Sequence, residues 1–226
     1  MGDVLLTAAT ENTERNAAAA ALVETGRSLV ARGLSPGTSG NVSVRVGGHI
    51  LMSPTGISLG EIDTDSLSLL DMEGRHLDGL PPSKEFPLHV VMYAARPEAQ
   101  AVVHVHSPYA VAASCLTPPP GPSALPPLTP YLVMKVGQVP LVPYAAPGSD
   151  ELATNLESVP QEFSAALLAN HGSIMSGPTL AAALDAGVEV EEAARVHVLL
   201  HGLPAASLST ADVRTLTTKY GTTWDV

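Results

Sequence analysis

The stretch A-V-V-H-V-H-S-P-Y, Ala101 to Tyr109, sets two histidines one residue apart inside an apolar run. Side chains at i and i+2 of a strand share a face, so His104 and His106 point one way while Val103 and Val105 point the other. The Ser107-Pro108 pair that follows starts a helix, because proline in the first turn forfeits no helical hydrogen bond. A buried strand running straight into a helix predicts an α/β chain.

Working upstream, Ser83 is expected to cap a helix running to about Ala95, with Pro87 tolerated in its first turn. Leu69 to His76 reads as a short strand pair turning at Glu73-Gly74, and His49 to Met52 as a strand returning from a Gly47-Gly48 hairpin. The alternation of Val42, Val44 and Val46 predicts the strand before that turn. Thr10 to Arg32 reads as a helix with Thr and Asn cap candidates and Gly33 just past its end. Downstream, the proline-dense Thr117 to Pro130 is a loop and Leu132 to Val142 is expected to be extended. Ala165 to Ala169 is a short apolar strand ending in N-H-G. Pro178 to Leu200 is a long helix, and Ser209 to Lys219 a last one with Gly221 as its cap. No repeat or linker interrupts the 226 residues, so one domain over 1–226 is expected.

Composition narrows the function classes. A hydrophobic content of 45% against 15% charged residues describes a chain that folds around a core. The formal net charge of −11 argues against nucleic acid as a partner, because phosphate backbones need basic surface. No apolar run reaches spanning length and no basic N-terminal signal is seen, so no membrane partner is expected. The single cysteine, Cys115, excludes an internal disulfide and fits a reducing cytoplasm. In A-V-A-A-S-C-L it reads as a small buried hydrophobe.

Two imidazoles side by side in an apolar sheet need hydrogen-bond partners or a metal, and the H-x-H pair alone leaves both readings open. A neutral imidazole nitrogen binds Zn²⁺ or a similar divalent ion. His171, in A-N-H-G at a strand end, is a candidate third ligand, although a lone histidine there also serves as a turn residue. The rival pair, His197 and His201, is spaced i, i+4 but sits in H-V-L-L-H without the glutamate of a zinc-protease helix. It reads as the end of an amphipathic helix. Glu85 near a helix N-terminus is a candidate carboxylate, with the solvated first-turn acid as the plainer reading. His89, four residues on, shares its face. Two glycine-rich loops, T-S-G-N from Thr38 and S-P-T-G from Ser53, offer backbone N–H groups to phosphate, as tight turns of the same composition also do. Ser83 and Lys84 would add a third side, with Lys84 supplying the local positive charge that an acidic chain needs to hold an anion.

In this order, G-T-S-G-N-V-S-V-R, S-P-T-G-I, P-S-K-E-F-P-L-H, A-V-V-H-V-H-S, V-P-Y and L-L-A-N-H-G resemble the class II aldolase/adducin family. The resemblance implies a three-layer α/β/α sandwich around a mixed, mainly antiparallel sheet. It implies a homotetramer with active sites between subunits. It further implies that His104, His106 and His171 hold a divalent metal, usually Zn²⁺, with Mn²⁺ or Co²⁺ as substitutes. Glu85 is then the acid/base and a ligand of the empty site. Gly40, Asn41, Thr55, Gly56 and Ser83 form the phosphate pocket.

Within the family, L-P-P-L-T-P-Y-L-V-M-K-V-G-Q-V-P-L-V-P-Y is similar to the 3-oxo-tetronate 4-phosphate decarboxylases, where Lys84 also fits. Tyr131 matches a tyrosine that reaches a neighbour's site, and Tyr220 in K-Y-G resembles a C-terminal tyrosine of the aldolases. The 4-epimerase branch carries Asp where Glu85 stands. The implied activity is a carbon–carbon lyase that decarboxylates a 3-oxo-tetronate 4-phosphate to dihydroxyacetone phosphate through a metal-chelated enediolate. The alternative is a fuculose-1-phosphate-like retro-aldol cleavage of a ketose substrate. A non-catalytic adducin-like module is a remote third reading, disfavoured because all three histidines are present.

Overall fold

The computed structural model describes residues 2–225. A long helix, α1 (Gly2–Ala31), leads into two hairpins, β1 (Asn41–Val46) with β2 (His49–Met52) and β3 (Ser68–Asp71) with β4 (His76–Gly79). Next come α2 (Phe86–Ala95), β5 (Ala101–Val105), α3 (Pro108–Ser114), α4 (Pro130–Lys135) and the short β6 (Leu141–Val142). The chain closes with α5 (Asp150–Glu157), the β7 (Ala165–Leu168) and β8 (Gly172–Gly177) hairpin, α6 (Leu180–Leu199) and α7 (Thr210–Tyr220).

The eight strands form one sheet in the order β4-β3-β2-β1-β5-β8-β7-β6. Every pairing is antiparallel except β6 with β7, so the sheet is mixed and mainly antiparallel, as the resemblance implied. Alternation then builds two cores. Val103 and Val105 of β5 pack with Leu22 and Leu29 of α1 and Val190 of α6 on one face. Val102 of β5 packs with Leu88 and Met92 of α2 and Leu152 and Leu156 of α5 on the other. Helices on both faces make three layers, and β5 is central, so the side chains of Ala101 to Val105 are all buried. No helix among the described residues is long and apolar enough to cross a membrane.

Several local expectations are corrected. Leu132–Val142 is not extended throughout: Thr129-Pro130 opens α4, which buries Leu132 and Val133, and only Leu141–Val142 pairs as a strand. The apolar run hid a cap-then-proline start. Ser83 does not cap α2. That helix begins at Phe86 with Glu85 in the N-cap position, and the Ser83 hydroxyl accepts the Glu85 backbone N–H at 3.3 Å. The candidate caps Thr10 and Asn12 lie inside α1, which starts earlier. Two elements went unassigned in the sequence. Ser149 caps α5 through the Leu152 N–H, and G-S-I-M-S-G forms β8 despite its glycine ends, because β5 and β7 flank it on both sides. Cys115 is exposed rather than buried, because α3 is short and ends at Ser114, leaving Cys115 at its C-cap.

Candidate active site

The sheet register brings the first residues together. β1 pairs with β5 so that Asn41 lies opposite His104, and β5 pairs with β8 so that His104 lies opposite Ile174. His106 follows the end of β5. His171 sits in the three-residue turn between β7 and β8, after Asn170, whose φ of 55° is the one positive value at a non-glycine residue among the described residues. Asn tolerates that left-handed conformation. Ser114 of α3 braces the turn, since its carbonyl accepts the Asn170 N–H at 3.2 Å and its hydroxyl the His171 N–H at 3.3 Å.

Two glycines make the approach sterically feasible. A Cβ at Gly40, already at φ 79°, would sit 2.7 Å from the Ser35 hydroxyl and 2.9 Å from the His104 carbonyl. A Cβ at Gly172 would sit 2.5 Å from the Val105 carbonyl and 3.1 Å from the His106 ring. Larger residues at either point would push β1 or the β7–β8 turn away from β5.

The imidazoles of His104, His106 and His171 meet edge to face with ring centroids 4.7–5.0 Å apart. Glu85 completes the group, with Oε2 at 3.3 Å from His104 Nε2 and Oε1 at 3.2 Å from His171 Nε2. One donor atom from each of the four residues lies within 4.8 Å of the others, and this is the one such convergent group among the described residues. The protonation pattern suits a cation. His104 Nδ1 lies 2.9 Å from the Ser173 carbonyl, to which it must donate. In the neutral ring Nε2 therefore carries a lone pair, and that atom faces His106 Nε2 at 3.0 Å.

Electrostatics agree. Burial, then the neighbouring His104 and His171, pushes His106 down to about 4, so its ring is neutral at pH 7. Burial by itself raises the Glu85 carboxyl, yet His104 and then His171 outweigh it and hold it well below the usual carboxylate range. Glu85 Oε1 and both ring nitrogens of His171 are buried without a hydrogen-bond partner; the 3.2 Å approach between Oε1 and Nε2 is off the line of a hydrogen bond. Orphaned polar atoms in a buried site are costly, and a divalent ion coordinated by three nitrogens and a carboxylate oxygen would satisfy Glu85 Oε1 and one nitrogen of His171. The donor set fits such an ion.

A cleft of about 290 Å³ opens onto this group. It is lined by Gly40, Asn41, Thr55, Gly56, Ser83, Lys84, Glu85, His106 and His171, joined by Thr38, Ser39, Pro54 and Pro147. His104 lies behind them, fully buried. Lys84 is exposed on the wall and makes no ion pair among the described residues, so its charge is available to an anion. Clefts of about 370 Å³ exist elsewhere, one of them lined by residues including Arg96, Lys135 and Tyr220, but they lack a convergent donor set and carry no comparable chemistry.

Not every candidate is in place. Tyr131, on α4, is 56% exposed and does not line this cleft, and Tyr220 lines a different one. His197 and His201 lie on and just beyond the end of α6, outside the site. Sequence reasoning missed Ser43 and Tyr93, which connect to the site through His89. The signal was present: Glu85, His89 and Tyr93 are spaced i, i+4, i+8, and Asn41 and Ser43 are spaced i, i+2 on β1.

Residues 20–198 match the model of the class II aldolase and adducin N-terminal domain. The chain is 42% identical over 196 residues to the 3-oxo-tetronate 4-phosphate decarboxylase of Haemophilus influenzae, covering 86% of this chain and 93% of that protein. It is 36% identical over 205 residues to the L-fuculose phosphate aldolase of the same organism, covering 89% and 92%. Its fold is similar to the crystal structure of YgbL from Klebsiella pneumoniae, itself a candidate aldolase, epimerase or decarboxylase. That match has a TM-score of 0.83 and 38% identity, over 91% of this chain and 98% of that one.

Proposed function

This chain belongs to the class II aldolase and adducin family, and from that premise we propose that it is a metal-dependent carbon–carbon lyase that decarboxylates a 3-oxo-tetronate 4-phosphate to dihydroxyacetone phosphate and CO₂. The observation that carries this reading is the cleft whose wall brings Glu85, His106 and His171, with His104 behind them, beside Lys84 and two turn-rich loops. A phosphorylated sugar acid needs both halves. The 42% identity to a named decarboxylase favours the acid over other substrates.

In this reading the phosphate rests on the Gly40–Asn41 and Thr55–Gly56 turns and Ser83, with Lys84 adding charge. The ion held by His104, His106 and His171, with Glu85 in the absence of substrate, supplies Lewis acidity toward the charge that develops on the substrate oxygens. Zn²⁺ suits this ligand set, and Mn²⁺ or Co²⁺ would serve. When the C1–C2 bond breaks, its electron pair is delocalised from C2 into the C3 carbonyl as an enediolate. C2 then takes a proton from the partner subunit's Tyr131, which the exposure of Tyr131 leaves free to reach across, or from Glu85 once that carboxylate has taken one from solvent. The domain would extend over 1–226 and assemble as a cytoplasmic homotetramer. A second reading, retro-aldol cleavage of a ketose 1-phosphate, is favoured by the 36% identity to a fuculose phosphate aldolase and would run through the same kind of enediolate.

The deciding experiment incubates metal-loaded protein with 3-oxo-tetronate 4-phosphate and, separately, with fuculose 1-phosphate. Equal release of CO₂ and dihydroxyacetone phosphate from the first is the expected result. Aldehyde release from the second, with no CO₂ from the first, would make the protein an aldolase. Silence on both would overturn the lyase reading.

A further inference from the structure

The geometry points to His89 as a positioning residue: with Tyr93, Ser43 and Asn41 it forms a one-way hydrogen-bond chain that turns the Asn41 amide toward Glu85 Oε2 and leaves Oε1, beside His171, as the Glu85 oxygen without a hydrogen-bond partner. The chain runs from α2 through β1 and back. Tyr93 OH lies 2.8 Å from Ser43 Oγ, and Ser43 Oγ lies 2.7 Å from His89 Nδ1. His89 Nε2 meets Asn41 Oδ1, and Asn41 Nδ2 reaches Glu85 Oε2 at 3.0 Å and Ser83 Oγ at 3.1 Å. His89, Ser43, Asn41 and Tyr93 are all buried at 2% exposure or less.

The direction of every link follows from the Asn41 amide. Its N–H₂ faces Glu85 Oε2 and Ser83 Oγ and its carbonyl oxygen, which only accepts, faces His89 Nε2. His89 must then donate from Nε2. Burial, and then the nearby His104, pushes His89 down to about 3, so the ring is neutral with one N–H, and Nδ1 is an acceptor. Ser43 gives its only hydroxyl proton to Nδ1 and must accept from Tyr93. Were the ring proton on Nδ1, the amide would flip and set its oxygen against a buried carboxylate oxygen.

Four buried polar side chains among Met92, Leu88 and Val102 are a costly choice for packing alone, because an apolar set of like volume would need no partners. They make sense as a fixed mount. With Oε2 anchored by the amide, the carboxylate plane is fixed, and Oε1, which lacks a hydrogen-bond partner, is left to substrate or cation. This inference rests on the proposed role of Glu85 as the acid/base group.

The test compares His89→Leu, His89→Gln and Tyr93→Phe in the full chain and adds ¹⁵N NMR of wild-type His89. The Leu variant keeps bulk but loses the N–H. It should lower kcat about 10–100-fold while KM for the oxo acid phosphate moves less than about threefold, as loss of an orienting partner does. Gln restores a donor and should recover most of that loss; Tyr93→Phe, further along the chain, should give a smaller loss of the same kind. A merely structural role would lower the folded fraction and leave Gln no better than Leu. The NMR needs no variant to fold and should show His89 protonated on Nε2. If the wild type turns over neither substrate, the function reading fails by itself. The chain is then read from the tautomer and from Co²⁺ affinity, expected to weaken in His89→Leu and recover in His89→Gln. A proton on His89 Nδ1, or a Leu variant that turns over and binds Co²⁺ like wild type, overturns the proposal.

Discussion

Two histidine pairs in this molecule have spacings suited to a shared metal. His104 and His106 are i, i+2 at a strand end, and His197 and His201 are i, i+4 at a helix end. The first pair has ring centroids 4.8 Å apart, a third imidazole from a neighbouring hairpin and a buried carboxylate. The second has centroids 6.3 Å apart, with His201 exposed and His197 partly so. Burial, then its neighbour His201, lowers the pKa of His197, but no further donor converges on it among the described residues. Spacing is therefore the weaker half of the criterion. The β5 pair acquires chemistry because the sheet delivers partners from β1, the start of α2 and the β7–β8 turn into one buried cluster. The α6 pair faces the solvent, where water satisfies each ring separately.

The comparison can be broken most forcefully at Glu85. Replacing Glu85→Gln keeps the size and the Asn41 contact but removes the charge and the acid/base function, and turnover should fall about 10²–10⁴-fold with metal content retained. Near-normal turnover, measured on metal-quantified protein, would move the proton transfer to Tyr131 or to water. A smaller effect is expected at the exposed rim. Lys84→Ser should raise KM for the phosphorylated acid about tenfold, with little change in kcat, as loss of a charged phosphate contact does. Steady-state kinetics showing intact affinity would remove Lys84 from the phosphate side of the cleft.

Stability gives a subtler contrast. His89 is held at about 3 in the folded chain, against about 6.5 when unfolded. Between those values the unfolded chain binds the extra proton, so stability falls as the pH is lowered through that window, by up to about 1.4 kcal/mol per pH unit for this group. Urea melts at several pH values should show that slope, and His89→Gln should flatten it by one proton's share. An unchanged slope would mean that His89 is not the buried neutral ring described here. The smallest effect belongs to the other pair. His197→Ala and His201→Ala should change stability by no more than about 0.5 kcal/mol and leave metal content and turnover untouched. Metal loss in either variant would overturn the contrast between the two pairs.

Periodicity and cap chemistry were enough to place most helices and the central strands, because those signals are local: alternating valines for β1, Ser-Pro for α3, Ser209 and Gly221 at the ends of α7. The same logic failed where local signals conflict. Leu132 to Val142 is apolar enough for a strand, yet the proline just before it and its packing under α7 make its first four residues helical. β8 has weak strand character and exists because two neighbours supply its hydrogen bonds. Glu85 was legible as a carboxylate of interest, but not as the N-cap residue of α2, since Ser83 offered the stronger capping signal.

The sequence by itself determined which atoms are available: three histidines, a glutamate in P-S-K-E, two turn-rich loops and one lysine, in an order that marks a family. It determined also that His104 and His106 share a face, because strand geometry dictates it. Only the tertiary structure decided that His171, far along the chain, meets them, and that His104 must present Nε2 because Ser173 takes Nδ1. It alone decided that Asn41, Ser43, His89 and Tyr93 form one buried chain ending on Glu85. The physical reason is that hydrogen bonds and metal coordination act over about 3 Å. Sequence order constrains direction along an element; the register between elements sets which polar groups come within that range.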